Sequence, residues 1–283
     1  MTVSLDEIVN RIKEIPPMPL VAIKVVEAMG SKNVSARKLS EIIAMDQAVS
    51  ARVLRMANSS FYAPKKKIST LDMAVVLLGE ETLKSLVLAF SLKGVSRKFG
   101  LTEKMQWEDS MGCAIGSRLT AKWFRSADSE EAFLAGLFRH IGKVVMNNLD
   151  PVAYQRVVEG VYNGEGTAME LEKAYFPYSH AEIGAAVLRK WNFTENLVEA
   201  VRRHEECHLE EIPDLELRRL TATVAVADAM CQRAGIGRRA PDETLELAAT
   251  PAAQILAIDE EQAEQLLGEF LSIFERDKET FFS

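Results

Sequence analysis

Arg139 and His140 stand side by side in an otherwise apolar run: Ala132-Phe133-Leu134-Ala135-Gly136-Leu137-Phe138 precedes them and Ile141-Gly142 follows. A charged pair inside a core-like segment is costly to bury unless it is partnered, which makes this the first place to look for a site. A guanidinium is permanently protonated and offers no lone pair to a metal. A neutral imidazole does, and suits Fe, Mn or Zn. A second stretch, His204-Glu205-Glu206-Cys207-His208, fits H-E-x-x-H. There, two histidines one turn apart hold zinc and the glutamate is a general base. Three fixed positions often match by chance, and the context is poor. Arg202, Arg203, Glu206, Glu210 and Glu211 surround it, Pro213 follows, and no third ligand comes at a short spacing. A zinc metalloprotease is the least favoured reading. Glu205 is expected as an exposed carboxylate, and His208 is not expected to converge with His204. A third histidine, His180, shares a helical face with Ile183, Gly184, Val187 and Leu188. A histidine on an apolar face is more often a hydrogen-bonded core residue than a ligand.

The elements that must position these residues read as helices throughout. Phe133, Leu137 and Ile141 repeat at i, i+4 and i+8, which predicts one buried helix over 132–143. Ala135 and Gly136 in it permit close approach of another helix. Before it the spacing predicts helices over 4–14 (opened by the capping box Ser4-x-x-Glu7), 19–29, 35–44 and 47–58. Others run from Ser69-x-x-Asp72 to Leu78, over 80–92 and over 107–125. After it come 151–162, 167–175, 178–191, 195–208, 214–233, 242–257 and 260–276. Helix 19–29 is read as carrying Leu20, Ile23, Val26 and Ala28. Asn58 is expected to end a helix or make a turn. Lys65, Lys66 and Lys67 read as a solvated loop, an anionic partner being the alternative. Arg97-Lys98-Phe99-Gly100 reads as a hinge after Gly94. Leu266, Leu267, Phe270, Leu271 and Phe274 form a packing stripe, and Phe281 and Phe282 would be sticky if exposed. Strand alternation and hairpin turns do not occur, so the fold class is all-α.

The chain is 48% hydrophobic and 27% charged, with a net charge of −7. Broad attraction to nucleic acid or anionic membrane is not expected. No apolar run approaches the roughly 18 residues of a bilayer span, and the first residues lack a signal-peptide core. Cys113, Cys207 and Cys231 do not make a disulfide framework, so a reducing cytoplasm is expected. No nucleotide-binding glycine loop, Ser-His-Asp pattern or basic DNA-reading helix stands out. Output is expected to run through protein contacts.

The segment Gly136-Leu137-Phe138-Arg139-His140-Ile141-Gly142-Lys143 resembles G-L-L-H-D-I-G-K, the central helix of the HD superfamily of metal-dependent phosphohydrolases. Arg139 stands where that family has His, and His140 where it has Asp. The N-terminal third resembles the HDOD domain, an offshoot regarded as non-catalytic and tied to bacterial signalling. The motifs are Pro16-Pro17-Met18-Pro19, Asp46, Leu54-Arg55-Met56-Ala57-Asn58-Ser59, Ile68-Ser69-Thr70-Leu71-Asp72-Met73-Ala74 and Leu78-Gly79. Gln47 replaces a family proline after Asp46, at a position that tolerates other residues. His180, Ile183, Gly184, Val187-Leu188 and Trp191 match H-x-x-I/V-G-x-x-L-x-x-x-W. His204 matches the paired-histidine region, with Glu205 in the second slot. The match spans about 9–230.

The resemblance implies a multi-helix HDOD fold. A helical N-terminal subdomain (1–95) packs on a degenerate HD-like core (96–234), and closing helices (235–283) cover it. It also places Asp109 at the first metal-ligand slot and Asp228 at the last. The implied pocket is Asp109, Arg139, His140 and Asp228. Arg139 is expected to replace the metal electrostatically, paired with Asp109, Asp228 or both, a bidentate pair being the strong form. A solvated Arg139 is the plain alternative. No cofactor is expected; a remnant Fe, Mn or Zn site from His140, His180, His204 and Asp228 is the alternative. The function expected is a non-catalytic, cytoplasmic signal-transduction module that binds a protein partner or small ligand, with no nucleic acid and no membrane. A metal-dependent phosphohydrolase with a rearranged ligand set is the runner-up.

Overall fold

The computed structural model describes residues 8, 17–29, 35–59, 62, 64–92, 100–206 and 208–282, and among them there is no strand. The expected helix over 4–14 apart from Ile8, Pro16, Gly30, Ser60, Gly94, the 97–99 part of the hinge and Cys207 lie outside the described residues. So do the side chains of Phe281 and Phe282. Contacts group the chain into two compact units, Pro17–Val95 with Leu267–Ser283, and Met1–Pro16 with Ser96–Leu266.

The first unit contains helices α1 (Leu20–Met29), α2 (Ala36–Ile43), α3 (Gln47–Ala57), α4 (Leu71–Leu78) and α5 (Glu80–Leu92). Side-chain caps set their starts. Ser35 accepts from Lys38 N–H, Asp46 from Ala48 and Val49, and Thr70 from Met73. Each satisfies backbone donors that a helix start leaves open. The start expected at Ser69 is therefore at Thr70. Gln47 is simply the first helical residue. In α1 the buried residues are Val21, Ala22, Val25 and Ala28, while Leu20 and Ile23 are exposed. The helix is apolar nearly all round, so its spacing does not single out a face. Lys65, Lys66 and Lys67 are exposed.

Asn58 ends α3 and also pins the following loop. Its amide donates to the carbonyls of Leu54 and Ile68, each at 2.7 Å, and its carbonyl accepts from Ile68 N–H at 2.8 Å. Asn58→Ala should cost about 1–3 kcal/mol, because it strands two polar groups of Ile68. Urea denaturation of the variant checks this; a change within about 0.5 kcal/mol, as for an ordinary surface position, contradicts it.

The second unit is built around α6 (Leu101–Phe124), which packs along α7 (Ser129–Phe138) and α13 (Leu215–Ala234). Helix α6 starts six residues earlier than expected. The Glu103 carboxylate accepts the Gly100 N–H at 2.7 Å and closes its first turn. Gly136 allows the close α6–α7 approach: a Cβ there would lie 2.7 Å from Cys113 O and Ser117 Oγ.

The helix expected over 132–143 is in fact two. Helix α7 ends at Phe138, His140 leaves helical backbone (φ −105°, ψ 13°), and α8 runs Ile141–Leu149. Both residues at the break stay buried. The break lets Gly142 seat against α11 (His180–Lys190), to which α8 packs. In chain order between them come α9 (Pro151–Asn163) and α10 (Ala168–Tyr175).

Helix α12 (Glu195–Arg203) stops short of the expected 208. His204 Nδ1 bonds the Val201 carbonyl at 2.7 Å and so caps the helix end. The helix expected over 242–257 is a loop, a 3-10 turn (Leu247–Ala249) and the short α14 (Pro251–Ile255). Thr250 caps Ala253 N–H ahead of Pro251, whose fixed φ suits a helix start rather than an interior. Helix α15 (Glu260–Phe282) closes the chain, with Leu266, Leu267, Phe270 and Phe274 buried.

Candidate functional site

Two polar cages meet at His140, both inside the second unit. The first surrounds Arg139, whose side chain is 0% exposed at the end of α7. One terminal nitrogen, Nη2, lies 2.8 Å from Asp109 Oδ1 on α6 and 2.8 Å from Asp228 Oδ1 on α13. Nη1 donates to the carbonyls of Gly136 (3.1 Å) and Asp109 (3.3 Å). The expected ion pair is present, but as a bridge between two carboxylates rather than a bidentate fork on one. The contact to Asp109 Oδ1 is a charge contact only. That oxygen and Arg139 Nε have no hydrogen-bond partner.

The carboxylates are held from behind. Asp109 Oδ2 accepts from His140 Nδ1 at 2.7 Å, which fixes the tautomer that leaves Nε2 bare. Asp228 Oδ2 accepts from Gln232 at 2.6 Å, and Arg238 reaches Oδ1 at 3.3 Å from a partly exposed position. Burial works to raise the Asp228 carboxyl, but Arg139 and then Arg238 outweigh it and hold it below the usual range. Burial works against the Arg139 charge, and Asp109 more than restores it.

These are the four slots the resemblance assigned: Asp109, Arg139, His140 and Asp228. An HD-type metal does not fit them. A guanidinium nitrogen already lies between the two carboxylates, and it has no lone pair to give.

The second cage is made of imidazoles. His140, His180 and His204 form a triangle with ring centroids 5.1, 5.2 and 5.3 Å apart. Each Nδ1 is taken: His140 by Asp109, His180 by the fully buried Glu172 at 2.8 Å, and His204 by Val201 O. The Nε2 atoms of His180 and His204 then face each other at 3.3 Å. Glu205 Oε1 joins them, 3.2 Å from His180 Nε2 and 3.7 Å from His204 Nε2. Burial, then Lys143 and Arg139, push His140 well below its ordinary pKa. Burial and then His180 push His204 down to about 3. For Glu205 burial acts upward, but the adjoining His180 brings it down to about 2.

Glu205 corrects the sequence reading. It lies past the end of α12, so its side chain does not follow a helical face but folds back onto His180. It is 30% exposed rather than a solvent carboxylate. His208 lies away from the cluster, 74% exposed and 3.4 Å from Glu210. His204 and His208 therefore do not converge, because α12 ends at Arg203 and His204 and Glu205 lie in a turn.

Asp228, grouped with the histidines in the remnant-site reading, belongs to the Arg139 cage. Glu172 was not singled out, and nothing local in its sequence marks it. For Glu205 a signal existed: it occupies the second slot of the paired-histidine region.

An all-helical core with a buried cage of two carboxylates around a guanidinium defines the class. Within it, the chain belongs to the HDOD domain family, whose model matches residues 15–207. An uncharacterized protein of Treponema pallidum (strain Nichols) is 25% identical over 225 residues, which is 78% of this chain and 43% of that protein. The chain thus spans less than half the length of that relative. Among solved structures, a Shewanella amazonensis SB2B protein provisionally assigned as a phosphohydrolase is 25% identical, with a TM-score of 0.75 over 97% of each chain. An HDOD domain protein of unknown function from Geobacter sulfurreducens has a TM-score of 0.78 at 22% identity, over 98% of this chain and 95% of that one. No described helix is long and apolar enough to cross a membrane.

Proposed function

We propose that this chain is a non-catalytic signal-transduction module of the bacterial cytoplasm, which acts by binding a protein partner or small ligand. The observation that carries this is the Arg139 guanidinium bridging Asp109 and Asp228. An HD hydrolase needs a cation there with an open position for water, whose lowered pKa supplies hydroxide. Arg139 supplies the positive charge and holds no water for attack. The cage keeps its structural role, tying α6, α7 and α13 together, and loses its chemistry.

The expected result is no turnover of phosphodiesters or nucleotides above the no-protein rate when Mn, Fe or Mg is added. Turnover that vanishes in His140→Ala would overturn this reading. The alternative, a phosphohydrolase with a rearranged ligand set, has one observation in its favour: His140, His180, His204 and Glu205 converge beside the cage. The provisional assignment of the Shewanella relative points the same way.

A further inference from the structure

We infer that His140, His180, His204 and Glu205 form a site for one divalent transition-metal ion, separate from the HD position that Arg139 fills. The inference stands independently of the regulatory reading, since a bound ion need not be catalytic.

Four features carry it. The first is convergence. One potential ligand atom from each of the four residues lies within 4.8 Å of the others, among three of the four histidines in the chain. The second is orientation. All three imidazoles spend Nδ1 on an acceptor outside the triangle, two on carboxylates and one on a backbone carbonyl. Metal-bound histidines are held in the same way, the outer acceptor fixing the tautomer and raising ligand basicity. A packing cluster of histidines has no need to point three bare nitrogens at one place.

The third is spacing. Two imidazole nitrogens on one tetrahedral zinc, each at about 2.0–2.1 Å, lie about 3.3 Å apart. His180 Nε2 and His204 Nε2 are 3.3 Å apart, and Glu205 Oε1 is 3.2 Å from the first. Two bare nitrogens at that distance turn lone pairs on each other, an arrangement that a shared cation relieves. The fourth is charge. Asp109, Asp228, Glu172 and Glu205 outnumber the nearby cations Arg139 and Lys143, with Arg238 at the exposed edge. A dication therefore enters a site with surplus negative charge.

The ligand set selects the ion. Three imidazoles and one carboxylate suit Zn2+ or Fe2+, whereas Mg2+ and Ca2+ prefer all-oxygen shells. Four protein donors fill a tetrahedron, the pattern of a closed structural site rather than one with an open catalytic position. Glu205, the one part-exposed ligand, is the side from which an ion enters. Glu172 is a positioning residue: it takes both the N–H and the Nδ1–H of His180, each at 2.8 Å.

The test uses the full chain, stripped with chelator and titrated with Zn2+ by calorimetry and with Co2+ by visible absorbance. The expected result is one equivalent bound, with the strong visible bands of four-coordinate Co2+, and a melting temperature raised by Zn2+. Glu205→Gln, at a part-exposed position that tolerates it, should weaken binding at least tenfold with an unchanged circular dichroism spectrum. His204→Ala should abolish the Co2+ bands. His208→Ala should bind like the wild type. No stoichiometric binding by the wild type overturns the inference. So does undiminished binding in both Glu205→Gln and His204→Ala, or loss of binding in His208→Ala. Bound metal without turnover leaves the regulatory reading standing; bound metal with phosphodiester turnover overturns that reading and keeps this site.

Discussion

Arg139→Ala should lower folding stability by about 3–5 kcal/mol, the range for breaking a buried charge pair by removing one partner. An exposed pair is worth about 0–1 kcal/mol. What places Arg139 at the high end is its complete burial and the two carboxylates sharing one nitrogen. Alanine leaves Asp109 and Asp228 facing each other across a void. Asp109 retains His140, and Asp228, 22% exposed, retains Gln232 and Arg238. Those partners moderate the loss without cancelling it. Chemical denaturation at neutral pH is the measurement. A loss under about 1 kcal/mol would mean that the guanidinium behaves as a surface group.

Gly142→Ala should also destabilise the fold, for a steric reason. The added Cβ would fall on the His180 carbonyl oxygen, with the His180 carbonyl carbon at 2.8 Å and Gly184 N at 2.9 Å. These are backbone atoms, so no side-chain rotation relieves the clash. Helices α8 and α11 must separate, and overpacking of this kind costs about 1–3 kcal/mol, at times more. The shift also moves His140 away from His180 and should weaken Co2+ binding. Gly268 is the control: nothing lies within 4 Å of a Cβ there. Alanine at that helical position should be neutral or stabilising by up to about 1 kcal/mol. Equal stabilities for the two variants would contradict the close α8–α11 contact.

The helical class was legible because side-chain periodicity and caps are local signals. Asp46, Thr167, Ser179 and Asp214 each cap the helix that follows them. Failures came where a helix end is set by contacts that side-chain periodicity does not carry. Continuous apolar spacing over 132–143 hid the break at His140, which is set by the contact of Gly142 with His180. Likewise, nothing between residues 195 and 208 announces that His204 will turn its ring onto Val201.

The candidate site divides in the same way. The Arg139 cage was legible because the resemblance supplied Asp109 and Asp228 from distant segments and elementary charge chemistry supplied the pairing. The imidazole cage was half legible. His140, His180 and His204, grouped as a possible ligand set, lie together, but Asp228 was placed with them and Glu205 assigned to solvent. Which carboxylate faces the histidines is decided by the turn after α12, a tertiary feature. Glu172, eight residues before its partner, carries no mark of its own.

The central claim, that the Arg139 guanidinium acts as the cation of the carboxylate cage, is tested most directly by a double-mutant cycle. Stabilities of the wild type, Arg139→Met, Asp228→Asn and the double variant are compared by urea denaturation at neutral pH. The single Arg139→Met strands buried charge, and the double variant leaves only Asp109, which keeps His140. The double variant should therefore recover much of the loss, with a coupling above about 1 kcal/mol, within the range for residues in direct contact. Effects that add to within about 0.5 kcal/mol, as for independent sites, would contradict the claim.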